Sequence, residues 1–397
     1  NTVTTSTALV TLSINSQPGS GASLACTGGL STTASAGVAT FGGCQITGTA
    51  GTYTLTAASS GLTGATSTSF LISGVPSKVV FTTQPGGGSN GTAWTNQPVV
   101  TVEDSSGNTV TTSTALVTLS INSQPGSGAS LACTGGLSTT ASAGVATFSG
   151  CQIIGSAGSY TLTATSSGLT SDTSSSLTIT AGAASQLVFT TQPGGDASGT
   201  NWTSQPVVTF EDSGGNTVSI TPRPSVTLSI NTQPGSGATL TCASNTVKES
   251  GGVSTFSGCS ITGTAGSYTL TATGSGGSGL TGTSGTFAIT PGSASKLVFT
   301  TQPGGGARGT VWSTQPVVTV EDSAGNTVTS PNVSVTLTIS SAPFSSGTLS
   351  PTSAVTTTSG VAIFSGCKIT GGQSGNYTLT AAASGLTSAT SNSFSLS

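Results

Sequence analysis

Apolar and polar residues alternate over short runs along the whole chain. In residues 115–122 the apolar Val117, Leu119 and Ile121 interleave with Thr118 and Ser120, and in 158–165 Tyr160, Leu162 and Ala164 interleave with Thr161 and Thr163. A period of two marks a strand with one buried face. No segment sustains the spacing of an amphipathic helix. Clusters of Gly, Pro, Asn and Asp separate the runs and supply turns. Between residues 74 and 181 the pattern predicts seven strands, at 77–84, 97–104, 115–122, 129–135, 144–153, 158–165 and 175–180.

The same pattern returns along the chain. VFTTQPGG occurs at Val80–Gly87, Val188–Gly195 and Val298–Gly305, so the periods are 108 and 110 residues. That is too long for a solenoid repeat and suits a whole sandwich domain. Full copies run over 74–181, 182–291 and 292–397. Residues 1–73 match 108–180, and residues 1–41 are identical to 108–148. The expected fold class is therefore all-β: a tandem array of antiparallel β-sandwich domains of about seven strands. Residues 1–73 form an incomplete domain without its first two strands.

Several motifs recur at matched places. Glu-Asp-Ser-x-Gly-Asn stands at Glu103–Asn108, Glu211–Asn216 and Glu321–Asn326. It reads as a tight, solvated turn, with Asp accepting local hydrogen bonds and Gly supplying positive φ. Tyr53, Tyr160, Tyr268 and Tyr377 open the penultimate strand, where a tyrosine corner bonds upstream backbone. The acidic turn, a Gly-Val-x-x-Phe segment and the Ala157–Ala164 run Ala-Gly-Ser-Tyr-Thr-Leu-Thr-Ala together resemble the bacterial Ig-like domains of invasin-type adhesins and other giant surface proteins. The resemblance covers the whole chain, copy by copy. It implies a rod-like stalk that projects a binding tip from a cell; its motifs specify fold and not ligand.

Composition removes several functions. Only 4% of the residues are charged, against about 25% in an average soluble domain. Thr and Ser fill the outward strand positions where charges usually stand. Six Lys and Arg in 397 residues cannot neutralise a nucleic-acid backbone. No apolar run reaches the roughly 18 residues of a membrane span. With no His the usual general base is missing. No Ser or Thr has a recognisable activating partner, and no phosphate-cradling loop ends in Gly-Lys-Ser/Thr. No enzyme, cofactor or metal site is expected.

The seven cysteines follow the repeat. Cys26 and Cys44, and Cys133 and Cys151, are 18 residues apart, and Cys242 and Cys259 are 17 apart. Matched pairs on neighbouring strands predict one disulfide in each of the first three copies and an oxidising, extracellular or cell-surface location. Closing such a loop contributes about 3 kcal/mol on the chain-entropy model. Cys367 is left unpaired because Pro351 takes its partner's place. It is either a buried leftover thiol or a cross-link to another chain.

Three further sets carry two readings each. Trp94, Trp202 and Trp312 occur once per full copy, either packed inside or exposed for stacking on sugars. Asn90, Asn201, Asn332 and Asn376 lie in Asn-x-Ser/Thr triplets, which arise by chance in such a chain or accept N-linked glycans. The three Glu-Asp pairs hold six of the nine acids, too few per copy to complete a Ca²⁺ shell.

These features point to a structural, non-catalytic stretch of an extracellular filament, fibre or adhesin stalk. The alternatives are an adhesive or carbohydrate-binding array and a subunit of a strand-complemented filament. The expected partners are further copies of the repeat, in the same or a neighbouring chain, with glycans as candidates. The VFTTQPGG strand and its successor are missing from the first copy, which leaves Val10, Leu12 and Ile14 without part of their cover. That gap reads as a cut through a longer array, or as a place for a strand from another chain. Ser391–Ser397 only completes the last copy and offers no spare strand.

Overall fold

The structure is a computed structural model describing all residues except 277, 278, 346, 352 and 354. The described residues form strands and turns without a helix. They divide into two compact units, Asn1–Ala183 with Asp212–Asn216, and Ala184–Glu211 with Thr217–Ser397. The chain is an all-β, Ig-like tandem sandwich.

The second copy, in the first unit, shows the plan. One sheet has three antiparallel strands, Lys78–Thr83, Val99–Glu103 and Val145–Thr147, with Val99–Glu103 in the middle. The facing sheet is built on Leu116–Ser123, which lies between Ser138–Thr140 and Gly158–Thr165. Leu177–Thr180 adds to Gly158–Thr165 and then pairs in parallel with Gly88–Ser89. Ser130–Thr134 and Ser149–Ile154 form a separate hairpin. The alternation sets the faces as expected. Val117, Leu119, Leu162 and Ala164 are buried. Outward hydroxyls bond across strands, Thr118 Oγ1 to Ser138 Oγ at 2.8 Å and Ser123 Oγ to Thr161 Oγ1 at 2.7 Å. Such cross-strand pairs contribute roughly 0.2–1 kcal/mol each.

The expected strand at 144–153 is in fact two. Its first half joins the three-stranded sheet and its second half the hairpin. The break falls at Phe148, which turns into the core; Gly150 (φ +59°) follows within the hairpin strand, where a Cβ would meet Thr134 Oγ1 at 2.1 Å. The positive φ and the close approach to Thr134 require glycine at that point of the hairpin.

The second unit repeats the plan twice. Its three-stranded sheets are Gln186–Thr191, Val207–Glu211, Val253–Thr255 and Lys296–Thr301, Val317–Glu321, Val361–Ile363. The facing sheets centre on Ser225–Thr232 and Ser334–Ser341. Among the described residues, buried apolar side chains of the three full copies gather in three clusters, spanning Val79 to Ile179, Leu187 to Ile289 and Leu297 to Leu396. The third copy has a glycine-rich insertion at 274–278 relative to the second, of which 277 and 278 lie outside the described residues.

The first copy has the large sheet, built on Leu9–Ser16 and Gly51–Ala58, and the hairpin Ser23–Thr27 with Gly42–Thr47. Among the described residues, 1–73 form no counterpart of the three-stranded sheet.

Candidate functional site

The repeated chemistry of this chain lies at the joints between successive copies. In the second unit, Asp322 Oδ1 accepts hydrogen bonds from the backbone N–H of Ala324 and Asn326, both at 2.9 Å. Its Oδ2 accepts from Asn326 Nδ2 at 2.8 Å and from the N–H of Gly292 in the connecting segment at 2.7 Å. Asn326, so fixed, donates Nδ2–H to the carbonyl of Gly263 at 2.9 Å and accepts from the N–H of Ala265 at 2.7 Å. One side-chain amide thus gives the third copy the donor–acceptor pair that a neighbouring strand would offer.

The receiving loop is held ready from within its own copy. Tyr268 donates its hydroxyl proton to the carbonyl of Thr264 at 2.8 Å, the expected tyrosine corner. Ser198 Oγ accepts from the N–H of Gly263 at 3.1 Å. A Cβ on Gly263 would lie 2.5 Å from Ala238 Cβ and 2.8 Å from Tyr268 Oη, so glycine is required by space.

Residues 212–216, which belong to the first unit, make the same set. Asn216 Nδ2 donates to Gly155 O at 2.9 Å, Ala157 N–H to Asn216 Oδ1 at 2.6 Å and Gly182 N–H to Asp212 Oδ2 at 2.7 Å. The joint of the first copy is thinner. Asn108 Nδ2 reaches Gly48 O at 3.1 Å, and the other two bonds have no counterpart among the described residues. A cleft of about 220 Å³ opens there, lined by Ile46, Gly48, Val75 and Asp104 among others.

The acidic turn is therefore not the solvated turn that its sequence suggests. Asp104, Asp212 and Asp322 are buried. Burial alone would raise the Asp322 carboxyl, but hydrogen bonds from Asn326, Gly292 and Ala324 outweigh it and hold the group below its ordinary value. Asp212 and Asp104 are lowered on the same balance, Asp212 with help from Gly182. The part-buried Glu103 pairs with Lys78 at 3.3 Å and Glu321 with Lys296 at 3.6 Å, while Glu211 accepts from Gln186 Nε2 at 3.3 Å. With the lysine ends in solvent, such pairs contribute about 0–1 kcal/mol.

The structure separates the other candidates. Trp94, Trp202 and Trp312 are 4%, 3% and 3% exposed, so no sugar can stack on them. Trp202 packs edge-on against Phe287 with centroids 5.1 Å apart, and Trp312 against Phe394 at 5.0 Å. Asn90 is buried and its amide is engaged: Oδ1 accepts from the N–H of Gly155 at 2.8 Å. It stands where Ser198 stands in the next copy, as a support for the glycine loop and not as a free acceptor for a glycan. Asn201, Asn332 and Asn376 are exposed. In the fourth copy this supporting place is taken by Arg308, whose Nη1 donates to Gly372 O at 3.2 Å.

Cys26 is bonded to Cys44, Cys133 to Cys151 and Cys242 to Cys259. Cys367 is free, 1% exposed, and burial pushes its thiol up to about 11. The thiolate is the reactive form. Iodoacetamide at pH 8 is therefore expected to leave Cys367 unlabelled in the folded chain and to label it fully in denaturant. Rapid native labelling, followed by mass spectrometry, would show the thiol to be available for cross-linking.

One buried group was not expected from sequence. Glu249 is fully buried in the third copy, where Ala141 stands in the second. Its Oε2 accepts from Gly252 N–H at 2.5 Å and its Oε1 lies 3.6 Å from Arg223 Nε. The signal was Arg223 between Pro222 and Pro224, a cation with no partner nearby in sequence.

No family model matches the chain, and no curated protein matches it. Among solved structures it is similar to the Escherichia coli adhesin FdeC, at 17% identity and a TM-score of 0.30, over 82% of this chain and 99% of that one. A tetra-tandem repeat from the extending region of a large adhesion protein aligns at 16% identity and 0.25, over 100% and 92%. Immunoglobulin domains 1–5 of Sidekick-1 align at 15% and 0.23, over 98% and 76%. The first two are described as adhesion proteins, and at such TM-scores the likeness carries no argument about function.

Proposed function

We propose that the chain is a structural, non-catalytic part of an extracellular stalk, fibre or adhesin shaft, with domains at 1–73, 74–181, 182–291 and 292–397. The observation that carries this reading is the joint. An Asp–Asn turn at the start of one copy grips the tyrosine-corner loop of the copy before it, with donors and acceptors matched on both sides. Within the second unit, the short connection and the hydrogen bonds of Asp322 and Asn326 hold the third copy to the fourth, which is what a spacer needs. The disulfides support an oxidising location outside the cell. The carbohydrate-binding alternative loses its tryptophans to the core, and the strand-complemented alternative rests on the open first copy.

Small-angle scattering of the intact chain tests the stalk. Four copies in line would span on the order of 150 Å, from strands of 8–10 residues at ~3.3 Å each. An extended particle supports the reading, and a compact one overturns it.

A further inference from the structure

The apolar cores of neighbouring copies do not tell one copy from the next. Val100, Leu119, Phe148, Tyr160 and Leu162 of the second copy are matched by Val208, Leu228, Phe256, Tyr268 and Leu270 of the third, and all of them are buried. Suppose the second copy's strands up to Leu116–Ser123 paired with the third copy's strands after Ser225–Thr232. The hybrid would bury equivalent side chains, and exchange of this kind is a characteristic failure of tandem domains. The disulfides do not prevent it. Both cysteines of each pair, Cys133–Cys151 and Cys242–Cys259, lie after the exchanged strands.

One buried pair does distinguish the third copy. Arg223 precedes Ser225–Thr232, and Glu249 follows Thr246–Lys248, the strand that pairs with it. The two residues therefore come from opposite sides of the exchange. Glu249 donates its backbone N–H to Pro224 O at 2.9 Å. The Arg223 guanidinium donates Nη2–H to the Glu249 carbonyl, and its Nε lies 3.6 Å from the carboxylate. Among the described residues the carboxylate makes no other ion pair. Glu249 is fully buried, whereas the Arg223 side chain is half-exposed. The matching positions are Thr114 and Ala141 in the second copy, and Asn332 and Thr357 in the fourth. In the fourth, Thr357 Oγ1 accepts from the N–H of Val333 at 2.8 Å. Neither neighbour offers a cation there.

We propose that the Arg223–Glu249 pair is a fidelity lock, which makes the third copy fold with its own strands and not with those of a neighbour. In the hybrid, Glu249 would be buried beside Thr114 or Asn332 with no positive charge. Losing one partner of a buried pair is far more costly than replacing both by apolar groups. The pair therefore adds little to the native third copy and weighs heavily against the hybrid. Arg223 is solvated when it loses its partner, so the discrimination comes from Glu249. The lock acts during folding and stands independently of the stalk reading.

The test uses the full chain with its disulfides intact, stretched and relaxed repeatedly in single-molecule force spectroscopy. Exchange is read as one unfolding event that releases the length of two copies. The double variant Arg223→Thr with Glu249→Ala places the second copy's residues at both positions. Two-copy events are expected to become about tenfold more frequent or more in this variant, because the hybrid no longer buries a lone charge. The urea midpoint of the second unit is expected to stay the same or to rise. The proposal is overturned if the frequency of two-copy events is unchanged. It is also overturned if the frequency rises while the midpoint falls, which would make the pair a stabilising contact and no more.

Discussion

Replacing Asp322 by Ala is expected to uncouple the third and fourth copies and to cost about 3 kcal/mol. The carboxylate accepts from Ala324, Asn326 and Gly292 at once, and it fixes the Asn326 amide that holds Gly263 and Ala265. Removing it leaves several buried donors unpaired, at roughly 1–3 kcal/mol each, with water recovering part of the loss. Calorimetry should show one transition of the second unit broaden or split in Asp322→Ala. An unchanged profile would mean that the joint contributes no coupling. Acid should act in the same direction. The folded carboxyl is held below its ordinary 3.8. Its stabilising contribution is therefore complete above that value and is lost as pH falls through the lower, folded value. Asp322→Ala should lack this component of acid sensitivity.

Trp202→Ala is expected to destabilise the third copy by about 3–5 kcal/mol, the range for a large buried aromatic. The ring fills the space beside Phe287, and its backbone N–H bonds the carbonyl of Cys259 at 2.9 Å. Urea denaturation with the intact disulfide measures the loss. Trp202→Phe should cost much less, because the indole Nε1 is buried without an acceptor and its removal forfeits no hydrogen bond. Unchanged stability in Trp202→Ala would contradict the packing.

The fold was legible because its signals are local. Alternation in 116–123 and 158–165 named the buried faces, and matched cysteine spacing named the pairs joined in the structure. The switch of 144–153 between sheets was not legible, since it depends on Phe148 turning into a core that the facing sheet completes. The joint was half legible. Asp and Asn at fixed spacing announced a turn, but nothing in one copy reveals that Asn326 reaches Gly263, 63 residues away in sequence. Glycine and asparagine carry no hydrophobic signal, and tertiary hydrogen bonds between backbone and amide leave no periodicity. Tryptophan was ambiguous for a related reason: burial of a single aromatic between strands depends on the facing sheet.

Each of the three full copies carries the gripping turn near its beginning and the counterpart of the gripped glycine loop near its end, so these copies are interchangeable parts. Recombination between stretches as alike as 1–41 and 108–148 would delete or duplicate a whole copy and regenerate a complete joint each time. Array length can then vary between generations in single-copy steps, with no interface to redesign. The fourth copy breaks this symmetry. Its Arg308 already occupies the carbonyl of Gly372, which matches the carbonyls gripped at Gly155 and Gly263. A duplication placed after it would meet a guanidinium where the others meet a free acceptor, and length variation should accumulate on the other side of that copy.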